Sequence, residues 1–165
     1  MEQIVGLVPD SYNGVIITMP RQSGKTTLCI RLFKAELFRN KDVYLVVPYS
    51  DYKNQLSMMV ELLPYRDEVR KRIVSVDELR GKHPEILFID DLASFPSNSF
   101  LELITYLKTS TFVSFTSDAR HDEGYHSINS IKNKLGQNSK EVYYGSLFIG
   151  DICFNSFETK GIVLK

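Results

Sequence analysis

The chain has 165 residues, 43% hydrophobic and 24% charged, with 20 basic residues balancing 20 acidic ones. That is enough for one globular domain with a real core, and zero net charge excludes a generic polyanion binder, so any nucleic-acid surface has to be a local patch. Two cysteines in apolar contexts, Cys29 and Cys153, read as buried thiols of a reducing compartment, and with no signal peptide or membrane-length apolar run the expected location is the cytoplasm, with no membrane partner.

In chain order, Ile4 to Val8 is a short apolar segment suited to an edge strand, and Pro9 to Gly14 is a turn cluster. Tyr12 in that cluster reads as a surface turn residue, with stacking on a nucleotide base as the other reading. A β-branched run, Val15-Ile16-Ile17-Thr18, then enters Met19-Pro20-Arg21-Gln22-Ser23-Gly24-Lys25-Thr26-Thr27, and a helical pattern from Leu28 to Phe38 leaves it. Strand, turn, Gly-Lys-Thr and helix is the layout of a phosphate-binding P-loop, in which bare helix-terminal amides and a lysine meet phosphate and a hydroxyl meets Mg²⁺. Gln22, Ser23, Gly24, Lys25, Thr26 and Thr27 are the candidate nucleotide-binding residues, and Thr26 a candidate metal ligand. Met19 stands where the pattern G-x-x-x-x-G-K-[ST] has its first glycine.

Val43 to Val47 reads as a parallel strand buried on both faces. A helix follows, with Asp51 as its expected cap and Leu56, Met59, Val60 and Leu63 as its apolar stripe. The basic stretch Arg66, Arg70, Lys71 and Arg72 is interspersed with Asp67 and Glu68, so it reads as a solvated helix face, the alternative being phosphate contacts on DNA. Ile73 to Val76 is a short strand and Asp77 to Gly81 a turn. Ile86-Leu87-Phe88-Ile89-Asp90-Asp91, a hydrophobic strand ending in two acids, is the second motif, of Walker B type. Asp90 is the candidate Mg²⁺ carboxylate, and Asp91 the candidate for orienting the attacking water, one methylene shorter than the glutamate usual at that position.

Ser97 is the expected cap of a helix whose stripe is Phe100, Leu103, Ile104 and Leu107. Thr111 to Phe115 is the next strand, ending in Thr116-Ser117, where Thr116 is a candidate γ-phosphate sensor; the plain alternative is a polar strand end. The loop holding His121, His126 and their neighbouring carboxylates reads as solvated rather than metal-binding. Arg120 in it is a candidate arginine finger, with a surface arginine as the alternative. Ile128, Ile131 and Leu135 are at helical spacing. Val142 to Ile149, a Gly150-Asp151 hairpin and Gly161 to Leu164 predict a β-rich C-terminal extension over about residues 140–165.

Alternating strands and helices predict a single α/β domain over 1–165, a three-layer fold with a mainly parallel central sheet and a core at about 15–136. The variant Pro20-Arg21-Gln22-Ser23-Gly24-Lys25-Thr26, the Leu79-Arg80-Gly81 turn and Asp90-Asp91, in that order, resemble the motor domain of phage and viral large terminase subunits, the ATPases that package DNA. The resemblance runs from about Val15 to Gly136 and implies an ASCE-type P-loop NTPase using ATP and Mg²⁺. It also implies double-stranded DNA as partner, a homo-oligomeric ring or portal-like partner, host cytoplasm if viral, and Arg21 acting in cis on the γ-phosphate, so that Lys25, Asp91 and Arg21 are the catalytic set. A nuclease domain of the kind full terminases carry has no room in this chain. The Ser-Gly-Lys-Thr loop and Phe95-Pro96 after the acids are also similar to nucleoside kinases of the thymidine kinase type, although no cysteine-ligated zinc module accompanies them. A third reading is a regulatory or assembly module that binds nucleotide and hydrolyses it weakly, because of Met19 and Asp91.

Overall fold

Strands whose residues are apolar on both faces need cover on both sides, and this sheet has it. The computed structural model describes residues 14–19, 24–39, 42–59, 66–117, 130, 133–134 and 142–146. The elements are β1 (Gly14–Met19), α1 (Lys25–Leu37), β2 (Val43–Val47), α2 (Ser50–Met59), α3 (Arg66–Lys71), β3 (Ile73–Ser75), β4 (Ile86–Asp90), α4 (Ser97–Leu107), β5 (Thr111–Ser117) and β6 (Val142–Ser146), with 3₁₀ turns at Asp77–Leu79 and Leu92–Ser94. The six strands form one sheet in the order β3-β2-β4-β5-β1-β6, and each neighbouring pair is parallel.

The period-two alternation divides the sheet's side chains between two cores. Val15, Ile17, Leu45, Val47, Phe88, Val113 and Phe115 pack with Cys29 and Phe33 of α1, Leu56 of α2 and Val69 of α3. Ile16, Val46, Leu87, Ile89 and Phe112 pack on the other side with Phe100, Leu103, Ile104 and Leu107, the stripe expected of α4. The result is helix, sheet, helix: the three-layer architecture expected from the alternation. Each fully buried Leu, Ile or Phe contributes roughly 1.5–3 kcal/mol by leaving water. At Gly14, a Cβ would lie 2.2 Å from the Phe112 ring, so the bare backbone of β1 lets β5 pack that ring against it.

Two expected caps turn out otherwise. Asp51 lies inside the first turn of α2, where its charge still meets the positive end of the helix dipole. Ser97 is the first helical residue of α4; Pro96 precedes it with its fixed φ, and no side-chain hydrogen bond caps that end. The basic stretch forms α3 and its exit. Val69 is buried, Lys71 pairs with Glu68 at 3.3 Å, and the Arg72 guanidinium lies 4.9 Å from the centre of the Tyr44 ring. The Leu79-Arg80-Gly81 turn is a brace. Leu79 is fully buried, Gly81 takes a φ of +77° that suits glycine, and Arg80 grips Glu102 of α4 with Nε–Oε1 and Nη2–Oε2 distances of 2.8 and 3.0 Å.

β6 supplies the first part of the expected C-terminal β extension and pairs with β1. The hairpin at Gly150-Asp151, the last strand, the segment Ile4 to Val8, Tyr12, the histidine loop and Cys153 lie outside the described residues.

Candidate nucleotide site

In a parallel sheet all carboxyl ends share one edge, the usual place for a ligand in open α/β folds. Here that edge gathers both sequence motifs. β1 and β4 are not neighbours; β5 separates them and aligns Met19 with Ser117 and Asp90 with Phe115.

Gly24 is the residue before α1, with φ 84° and ψ 21°, left-handed values that glycine adopts without steric cost. Its carbonyl accepts from Leu28 N at 2.9 Å, closing the first helical turn. With glycine at this cap, no side chain competes for the first amides of α1, which by helix geometry have no intrahelical acceptor. Lys25, Thr26 and Thr27 form that first turn.

Thr26 Oγ1 donates to Asp90 Oδ2 at 3.0 Å, bridging the two motifs over 64 residues of sequence. Asp90 is 1% exposed. Burial pushes its carboxyl above the ordinary range, and the neighbouring Asp91 charge adds to this; hydrogen bonds from Tyr52 and Thr26 and the charge of Lys25 pull the other way. Oδ1 of Asp90 is buried with no hydrogen-bond partner. A desolvated carboxylate with one oxygen not engaged in a hydrogen bond, beside a threonine hydroxyl, is a hard-oxygen set suited to Mg²⁺, so the residues fit the cation that the sequence pattern implies.

Sequence reasoning missed Tyr52. Its hydroxyl donates to Asp90 Oδ2 at 2.5 Å and stands 3.2 Å from Thr26 Oγ1. Burial, then the Asp90 charge, raises the phenol above its usual range, so it stays a donor. The available signal was its spacing. Tyr52 and Leu56 stand at i and i+4, the same face of α2, and Leu56 is buried in the core against which Tyr52 packs.

Asp91 follows β4 with φ 58° and ψ 61°, the one non-glycine residue with positive φ among the described residues. Its amide donates to Phe115 O at 2.8 Å, and its carbonyl accepts from Ser94 N at 2.9 Å and Ser94 Oγ at 2.8 Å. Thr116, fully buried, accepts at its hydroxyl from Ala93 N at 3.3 Å. The turn after Asp90 is thus fastened at two points to the end of β5, which brings Thr116 to the same turn as Asp91. Arg21, Gln22, Ser23 and Arg120 lie outside the described residues. Cys29 is a buried free thiol, its pKa raised by burial and by the Asp90 charge.

The fold defines the class: an α/β protein with a parallel sheet between helical layers, a fold like that of P-loop NTPases. No family model matches the chain, and no curated protein matches it. Among solved structures it is similar to the crystal structure of the Pyrococcus furiosus Hef helicase domain, with a TM-score of 0.55 and 16% identity over 87% of this chain. The chain spans 38% of that structure's length, and the likeness is one of fold. Among the described residues, no helix is long and apolar enough to cross a membrane.

Proposed function

We propose that the protein binds and hydrolyses ATP with Mg²⁺, as a terminase-like motor ATPase coupled to double-stranded DNA. The observation that carries the nucleotide reading is the 3.0 Å hydrogen bond joining Thr26 of the P-loop to Asp90 of the Walker B strand. In this reading the amides from Gln22 to Thr27 and the Lys25 ammonium hold the phosphates. Thr26 and Asp90 hold Mg²⁺, which when bound supplies positive charge to the terminal phosphate oxygens. Asp91 orients the attacking water, while Arg21 in cis and Arg120 neutralise charge developing on the γ-phosphate. Thr116 senses that phosphate: its hydroxyl is tied to the turn that carries Asp91, so a shift of one is felt by the other.

DNA coupling is supported by the order of the motifs, which resembles packaging motors, and by a fold similar to a helicase domain. In such a motor the chain works as a homo-oligomeric ring or on a portal-like partner, in the cytoplasm. The nucleoside kinase reading loses ground at Phe95-Pro96, because Phe95 is fully buried in the α4 core, which gives that dipeptide a packing role.

The test is phosphate release from ATP with and without double-stranded DNA, in wild type and Lys25→Ala. Wild type is expected to turn over faster with DNA, and Lys25→Ala to lose roughly 100-fold or more, the usual loss when one preorganised charge stabiliser is removed. Phosphorylation of a nucleoside instead would sink the motor reading. Tight ATP binding with turnover no greater than that of Asp91→Asn would leave a regulatory module.

A further inference from the structure

We infer that Tyr52 is a positioning residue for the metal carboxylate: by filling Oδ2 of Asp90 together with Thr26, it leaves Oδ1 as the acceptor facing the cation's shell. This rests on the Mg²⁺-nucleotide reading above. Each hydroxyl has one proton. The proton of Tyr52 goes to Oδ2 across 2.5 Å, and that of Thr26 goes to the same oxygen across 3.0 Å. Neither proton remains for the 3.2 Å contact between the two hydroxyls. Thr26 therefore keeps its lone pairs for a cation while its proton anchors the carboxylate. Oδ1, buried and without a donor, is where a water of the cation's shell finds its acceptor. A carboxylate held at one oxygen by two donors cannot swing that second oxygen away. Second-shell partners of this kind orient first-shell ligands and tune metal affinity.

Tyr52 is itself held in place. Its ring packs against the core beneath α1 and lies 5.9 Å from the ring of Tyr49. The adjacent Lys53 ties α2 to Glu78 at 2.7 Å.

The experiment titrates Mg²⁺ against ATP binding by calorimetry, with EDTA as the metal-free reference, in wild type, Tyr52→Phe, Asp90→Asn and the double variant. Phenylalanine keeps the ring and removes only the proton. ATP affinity in EDTA is expected to match wild type, which also shows that the variant is folded. The Mg²⁺ concentration that half-saturates the tightening is expected to rise about 10-fold, the lower end for losing a second-shell partner. In the Asp90→Asn background, Tyr52→Phe should change nothing further. A Tyr52→Phe protein with wild-type Mg²⁺ dependence overturns the inference alone, and so does one that binds Mg²⁺ more tightly, which would make the hydroxyl a competitor. A wild type whose ATP binding ignores Mg²⁺ overturns the nucleotide reading, and this inference with it.

Discussion

Asp91 occupies a backbone region that costs an L-residue of ordinary shape roughly 1–2 kcal/mol. Aspartate tolerates it better than most, because its short polar side chain makes local hydrogen bonds. The conformation persists because both backbone groups of Asp91 are held, the amide by β5 and the carbonyl by Ser94. Strain kept in this way at the end of a motif strand fits a residue positioned for chemistry. Replacing Asp91 with glycine separates the two effects. Chemical denaturation of Asp91→Gly is expected to show stability unchanged or up by about 1 kcal/mol, while, in the role proposed for Asp91, ATP turnover falls about 100-fold with the loss of its carboxylate. A variant that is less stable and fully active would show the carboxylate to be a packing group. At the same scale, the pairing of Thr26 with Asp90 was legible, because both were singled out by a recognisable helix start and strand end, and the structure joins them. Tyr52 was not. Its role depends on where α2 crosses the sheet edge, 38 residues before Asp90, and its spacing to Leu56 reports only which helix face it shares.

Among the polar ties around the site, Glu78 joins α2 to the end of β3. Burial pushes its carboxyl up, but hydrogen bonds from Lys53 and from the amide and hydroxyl of Ser75, with the Lys53 charge, outweigh this and hold its pKa below the ordinary 4.5. A depressed folded pKa means that the stabilisation is present above the unfolded value and is lost as pH falls through the folded one. Glu78→Gln is therefore expected to lower the unfolding temperature modestly at pH 7, and the difference from wild type should vanish on acidification well below pH 4.5. A difference that persists into acid would assign Glu78 a packing role. The α4 stripe and the buried strands were legible because their periodicity is set by burial on one or both faces, whereas Val60 and Leu63 of the stripe expected after Leu56, and Ile128, Ile131 and Leu135, lie outside the described residues. The caps of α2 and α4 were not legible. A polar residue near a helix start serves equally as cap or first-turn residue, and Pro96 shows that a helix can begin with no side-chain bond at all.

For the whole molecule, strand order is what makes a site out of two distant motifs. With β5 between β1 and β4, Thr26 in the first turn of α1 and Asp90 at the end of β4 come within hydrogen-bond reach, and the strand between β1 and β4 carries Thr116. The α/β class followed from the alternation of elements, but the order β3-β2-β4-β5-β1-β6 did not, since no local pattern says which parallel neighbour a buried strand chooses. The central claim is that Thr26 and Asp90 form one Mg²⁺-dependent nucleotide site. The measurement that tests it most directly is ATP affinity with Mg²⁺ and with EDTA, in wild type and Asp90→Asn. Wild type should bind ATP at least 10-fold more tightly with Mg²⁺, and Asp90→Asn should lose most of that gain while keeping its affinity in EDTA. Equal Mg²⁺ gains in the two proteins would contradict the claim.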